Sequence, residues 1–239
     1  MKTIVISQPM YFPWVGMFEQ MRLADVYVHL DDAQFSKGGF FNRVQFKTQQ
    51  GTPWLTAPLA ANNLGLSLKE AQLATTGWQR KHFTSLQQAY SKAPYVEEML
   101  ALVDEVFAKE ADSLAALGAM SMEKLAEYFE IKPGDIRWSS RMNVTGEGSA
   151  RVMAICQTLG AERYITGHGA RNYLDHKALE AAGVRVEYMN YEKRPYSQLH
   201  GEFTPFISAL DLVANRGRLG RDMIVSSSVC WRDYLRWTG

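Results

Sequence analysis

Thr3-Ile4-Val5-Ile6-Ser7-Gln8-Pro9 and Asp25-Val26-Tyr27-Val28-His29-Leu30 frame the unit that decides the fold. The first run is β-branched and continuous until Gln8-Pro9 stops it, which predicts a short buried strand over Thr3 to Ser7. In the second, Val26, Val28 and Leu30 alternate with Tyr27 and His29, the period of another strand. Between them lie a proline-containing loop to Gly16 and two helical turns over Met17 to Ala24. Strand, loop, helix and strand in about 30 residues make a βαβ unit, with parallel strands and a right-handed crossover.

Outward from that unit, Phe40 to Lys47 and Trp54 to Ala57 read as a hairpin around the turn-like Gln50-Gly51. Trp78 to Ser91, Tyr95 to Lys109 and Asp112 to Tyr128 carry apolar residues at three- and four-residue spacing, and Pro133-Gly134 closes this helical middle. Alternation then returns. Ile136 to Trp138, Arg163 to Thr166 and Val184 to Met189 are expected strands. Ser149 to Leu159 and Leu174 to Ala182 are expected helices, and the stretches Phe206 to Val213 and Asp222 to Arg236 are expected to be mostly helical. The prediction is one α/β domain over residues 1–239, with a mainly parallel Rossmann-type sheet and a helical insertion near residues 77–130.

Composition removes several function classes. With 26 basic and 25 acidic residues the net charge is +1, which argues against a nucleic-acid partner bound through phosphate neutralisation. No run approaches the ~20 apolar residues of a membrane span, and the N-terminus does not read as a signal peptide. Cys156 and Cys230 lie far apart, so a disulfide framework is excluded and a reducing, cytoplasmic setting is expected. The five histidines show no metal-ligand spacing, so no metal site is predicted from them.

Four segments carry candidate chemistry. Gln8 to Gly16 leaves the carboxyl end of the first strand, where open α/β sheets place ligands. Its prolines stiffen it, Tyr11 and Trp14 offer aromatic wall, and the free helix N–H groups at Met17 and Phe18 suit an anion. Asp31 to Arg43 follows the second strand. Its Asp31, Asp32, Gln34, Lys37, Asn42 and Arg43 can contact hydroxyls, amines, phosphate or Mg²⁺, against the bland reading of a solvated turn. Thr145 to Arg151 leads glycines into a helix with Ser149 as the expected N-cap, and ordinary capping outweighs an anion cradle there. Thr166 to Asp175 follows a strand and sets His168 between glycines, with Arg171 and Asn172 beside it. An imidazole of ordinary pKa about 6.5 in a carboxyl-edge loop is an acid/base candidate. A parallel sheet brings its strand ends to one edge, so the first, second and fourth loops are expected to line one cleft. There His168 and Asp32 are the catalytic candidates, and Gln8, Tyr11, Trp14, Asp31, Gln34, Lys37, Asn42, Arg43, Arg171 and Asn172 bind substrate.

The ordered set resembles the WbqC-like family. The matching stretches are Gln8-Pro9-x-Tyr11-x-Pro13-Trp14-x-Gly16, Asp31-Asp32-x-Gln34-Phe35, Asn42-Arg43, Trp54-Leu55-Thr56, Tyr164-x-Thr166-Gly167-x-Gly169-Ala170-x-x-Tyr173-Leu174-Asp175, and Phe203-x-Pro205-Phe206-x-x-x-Leu210-Asp211-Leu212. That resemblance implies a role in bacterial O-antigen and related surface-glycan biosynthesis and assigns no catalytic residue. At the level of fold the chain also resembles the nucleotidylyltransferase superfamily, especially pantothenate synthetase-like ligases, in its opening elements and in Gln34-Phe35. Where that superfamily has His-x-Gly-His, this chain has Trp14-Val15-Gly16-Met17. The glycine is kept without the histidines that stabilise charge on the phosphates, so the resemblance implies a nucleotidyltransferase-like sheet with a nucleotide or nucleotide-sugar pocket. The expectation is an enzyme acting by group transfer or ligation on an activated sugar or small amine, using a small-molecule substrate such as a nucleotide, with Mg²⁺ as its possible companion. The rival reading is a non-catalytic binding or scaffold protein of the same pathway.

Overall fold

A computed structural model describes residues 1–36, 38–60, 63 and 65–238. The expected opening unit is present as β1 (Thr3–Ser7), α1 (Val15–Arg22) and β2 (Val26–His29). A hairpin follows, β3 (Arg43–Gln45) and β4 (Trp54–Thr56), then three helices, α2 (Trp78–Tyr90), α3 (Val96–Phe107) and α4 (Leu114–Tyr128). The second half runs β5 (Asp135–Trp138), α5 (Gly148–Thr158), β6 (Arg163–Thr166), α6 (His176–Ala181), β7 (Arg185–Tyr191), α7 (Ala209–Arg216), β8 (Ser226–Cys230) and α8 (Trp231–Thr238).

The main sheet has the order β5-β2-β1-β6-β7-β8. Five strands are parallel, and β8 joins β7 antiparallel, pairing Glu187 with Cys230 and Tyr191 with Ser226. Chain order therefore reverses between β1 and β6, the switch point at which such sheets open a crevice beyond their carboxyl ends. Strand pleating sorts the core into two layers. Val5, Tyr27 and Ile165 face α1, α3, α4 and α7, whereas Ile4, Ile6, Val26, Val28, Tyr164 and Val186 face α5, α6 and α8. Each fully buried Val, Ile or Phe of these layers contributes about 1.5–3 kcal/mol. Among the described residues, no helix is long and apolar enough to cross a membrane.

Two local expectations are corrected. The stretch Asp222 to Arg236 is not mainly helical, because Ser226–Cys230 forms β8 and only then does α8 begin. The reason is tertiary: β7 offers an open ladder as far as Tyr191, and pairing with it outweighs local propensity. Ser149 is not the N-cap of α5. Glu147 holds that position, and Ser149 instead accepts a hydrogen bond from the Asp175 N–H at 2.8 Å, tying α5 to the loop after β6.

Candidate functional site

At the switch point lies a cleft of about 550 Å³. Its floor and walls come from the end of β1 and the following loop (Ser7, Gln8, Met10, Trp14), from α1 (Met17, Gln20), from the start of α5 (Gly148, Arg151, Val152) and from the loop after β6 (Thr166, Gly167, Gly169, Ala170, Tyr173). Leu30 and Tyr191 complete it. The first turn of α5 opens on this space, and a helix N-terminus favours negative charge. α1 presents the side of Met17 and Gln20, and the Met17 N–H, expected to be free, donates to the Trp14 carbonyl at 3.2 Å. Arg151 lines the cleft as well, its guanidinium paired with Asp32. A slightly larger polar groove of about 600 Å³ lies between the β3–β4 turn and α2, but no strand of the main sheet contributes to it.

The loop after β1 is positioned by hydrogen bonds to its backbone from several elements. The Met10 N–H meets Met122 Sδ at 3.3 Å, and the Tyr11 N–H donates to the Phe41 carbonyl at 2.9 Å. Ser121 Oγ accepts from the Phe12 N–H at 2.9 Å, and Ser208 Oγ donates to the Phe12 carbonyl at 2.8 Å. The Pro13 carbonyl accepts from the Ala209 N–H at 2.8 Å. Phe12 itself has φ 40°, a left-handed conformation that costs a non-glycine residue about 1–2 kcal/mol, and the hydrogen bonds on both sides of it hold it there. Gly118 of α4 makes this docking possible, since a Cβ at that position would stand 2.9 Å from Met10 N and Pro9 C. Gly16 serves Trp14 in the same way: the indole lies across it, and a Cβ would come within 2.2 Å of the ring.

Of the residues expected to bind, Gln8 and Trp14 line the cleft. Tyr11 does not. Its ring is fully buried among Phe12, Trp78 and His82, and its hydroxyl donates to His82 Nδ1 at 2.9 Å. Burial pushes the Tyr11 phenol up and His82 down to about 4, so both stay neutral at pH 7. Asp31 is buried; Ser140 donates to it through its N–H at 3.0 Å and its hydroxyl at 2.6 Å, anchoring the turn after β5. Asp32 receives the Ser139 hydroxyl at 2.5 Å and pairs with Arg151, which brings it to the cleft's edge through that arginine. Gln34 is exposed and bridges to Ser67, and Asn42 donates to the Ala57 carbonyl at 3.0 Å within the hairpin. Arg43 borders a different cavity, described below. Lys37 lies outside the described residues.

In the loop after β6 the backbone, rather than the histidine, faces the cleft. Gly167, Gly169 and Ala170 line it, and a Cβ on Gly167 would crowd Gln20 Nε2 at 3.0 Å. His168 is exposed, and its Nε2 lies 2.7 Å from the Met189 carbonyl, to which it donates. β6 stops at Thr166 while β7 continues, and the imidazole takes up a carbonyl that β6 leaves behind. Arg171 and Asn172 are exposed in the same turn and do not line the cleft. Cys156 is buried in α5, and burial pushes its thiol up to about 12, which removes it as a nucleophile at neutral pH. Met17 and Tyr173 lie in stretches that the sequence singles out, whereas Ser7, Gln20, Arg151 and Tyr191 are not named there as binding residues. Of these four only Arg151 carried a signal, the glycine-led helix start read there as ordinary capping.

Switch-point geometry and two-sided helical cover define a Rossmann-like α/β protein with a cleft at its sheet edge. The chain belongs to the WbqC-like protein family, whose model matches residues 8–222. It is similar to a Mycobacterium tuberculosis (strain ATCC 25618 / H37Rv) protein described as "Uncharacterized protein Rv1507c", with 29% identity over 227 residues, covering 94% of this chain and 98% of the relative. No solved structure matches the chain.

Proposed function

We propose that the chain is a cytoplasmic enzyme of bacterial surface-polysaccharide biosynthesis that binds a nucleotide or nucleotide sugar and acts by group transfer or ligation on an activated sugar or small amine. The observation that carries this reading is the cleft at the β1–β6 switch point, onto which the N-terminus of α5 and the Asp32-paired Arg151 converge. Family membership supports the surface-glycan setting. In this reading the phosphates lie against the first turn of α5 and Arg151. Trp14 and Tyr173 flank the base or sugar ring, and Gln8 and Gln20 supply hydrogen bonds. Asp32, oriented by Ser139 and Arg151, is the carboxylate nearest in role to a proton acceptor. Asp31 and Asp32 already spend oxygens on Ser139, Ser140 and Arg151. A Mg²⁺ ion would therefore arrive on the nucleotide's phosphates rather than on an aspartate pair. A nucleotidyltransferase-like origin fits the opening βαβ unit and remains part of the proposal.

One observation favours a second reading, a non-catalytic nucleotide- or sugar-binding protein of the same pathway: Trp14 and Met17 stand at the start of α1, and His168 is occupied by Met189. Thermal-shift titration with ATP, CTP and nucleotide sugars, with and without Mg²⁺, tests the shared core of both. A ligand at 100 times its Kd adds about 2.7 kcal/mol, and the Arg151→Ala variant is expected to lose most of that gain. No shift with any nucleotide would sink the cleft as a nucleotide site. A shift without turnover of an amine or sugar acceptor would select the second reading.

A further inference from the structure

Trp14 and Met10 are walls of two cavities. Behind them, away from the switch point, an apolar groove of about 430 Å³ is formed by Pro13, Trp14, Phe40, Arg43, Trp54 and Phe206, with Val44 and Gln45 at its base. Three of its rings are strongly exposed, Phe40 at 60%, Trp54 at 42% and Phe206 at 55%. Large rings gathered at one concave site without burial against the protein mark a binding surface. They stand in two pairs, Trp14 with Phe206 at 5.4 Å and Phe40 with Trp54 at 5.9 Å between centroids. Each pair carries a cation: the Arg43 guanidinium lies 4.4 Å over the Trp54 ring, and Lys193 Nζ lies 5.0 Å over Phe206. Arg43 donates to the Gly38 carbonyl at 2.6 Å, yet its buried Nε–H has no hydrogen-bond partner among the described residues.

We propose that this groove binds a small aromatic carboxylic acid, its ring held between the two aromatic pairs and its carboxylate drawn to Arg43 and Lys193. The ring walls suit offset and edge-to-face packing of another flat π-system. Arg43 in the lining and Lys193 over the outer ring of Phe206 give the complementary charge, and none of the described lining residues is acidic. A bare sugar is disfavoured because its hydroxyls would find few partners here beyond Gln45 and Arg43. Calling the groove an acceptor subsite beside the nucleotide cleft rests on the function proposed above; the binding itself does not.

The test uses the full chain and 3-phenylpropanoate, followed by calorimetry and tryptophan fluorescence. Saturable binding is expected with a Kd of about 1 mM or tighter, and about tenfold weaker binding of the neutral 3-phenylpropanamide. Trp54→Ala removes an outward-facing ring while Leu55 stays in the core, and Arg43→Gln removes the charge. Each should weaken the acid by about tenfold or more. Equal affinity for acid and amide, an unchanged Kd in either variant, or no saturation by about 10 mM overturns the proposal. Arg151→Ala, in the cleft, should leave the acid's Kd unchanged. Acid binding with a silent nucleotide titration therefore strikes the cleft alone, and the converse strikes the groove alone.

Discussion

The loops after β1 and after β6 leave the same sheet edge and face each other across the cleft, yet they are held in opposite ways. The first is buried, and its hydrogen-bond partners come from α4, from the hairpin approach and from the segment before α7. The second is largely exposed and held mostly by itself: the Tyr173 and Leu174 N–H groups both donate to the Ala170 carbonyl, and Asp175 caps α6 through the Ala178 N–H. The Asp175 N–H to Ser149 and His168 to the Met189 carbonyl reach beyond it. Many long-range partners fix a wall, while few leave it dependent largely on its own turn. One side of the cleft is thus part of the core, and the other is a surface element placed beside it.

The largest expected effect comes from filling the seat of the buried loop. Alanine in a helix interior ordinarily gains about 0.5–1 kcal/mol over glycine. In Gly118→Ala the added methyl meets backbone atoms of Met10 and Pro9 at 2.9 Å, so the sign should reverse to a loss of about 2–3 kcal/mol in denaturant unfolding. The matching change on the other side, Gly169→Ala, meets nothing within 4 Å and should move stability by less than about 0.5 kcal/mol. A stabilised Gly118→Ala protein would show that α4 does not seat the loop.

Next in size is an acid sensitivity on the buried side. Folded His82, held near 4 by burial beside Tyr11, stays neutral where the unfolded chain's histidine, near 6.5, takes a proton. The native state is therefore at full strength above pH 6.5 and weakens as pH falls from 6.5 to 4. The loss should be roughly 1–2 kcal/mol after solvent screening is allowed for. His82→Gln should flatten the stability curve across that window, and parallel curves for the two proteins would rule His82 out. Smallest is His168→Ala, which removes one imidazole–carbonyl bond at the rim. It should cost no more than about 1 kcal/mol; a loss above about 2 kcal/mol would place the β6 loop in the same class as the β1 loop.

Much of the frame was legible because it rests on local period. A continuous β-branched run marked β1, alternation marked β2, β6 and β7, and three- and four-residue spacing marked α2 to α4. β8 was not legible, since Ser226-Ser227-Ser228 has little apolar pattern and its pairing with β7 is set by a strand far upstream. In the site, Gln8 and Trp14 could be read from a proline-stiffened loop at a strand end. Tyr11 could not be separated from Trp14, because the turn that sends one ring inward and the other outward is made by Phe12 at φ 40°, where no glycine advertises it. Asp31 reads in the sequence as a substrate contact, but it is spent on Ser139 and Ser140 of the turn after β5, donors 108 and 109 residues along the chain that local sequence does not reveal. Arg151 looked like an ordinary helix residue because its partner Asp32 lies on another strand's loop.

β8 also decides how the molecule meets its own copies. Without it, β7 would end the sheet with seven residues of unpaired ladder, including Val186, Tyr188 and Met189. Such an edge is a template for intermolecular pairing and aggregation. The substituted edge is five residues long and rich in serine. Its Ser228 hydroxyl donates back to Glu187 at 2.5 Å, and α8 begins directly at Trp231. At the opposite end of the sheet, β5 is four residues long and carries Asp135 and Arg137, paired with each other at 2.6 Å. Both margins of the sheet are short and polar, which keeps its apolar strands from recruiting a neighbour's.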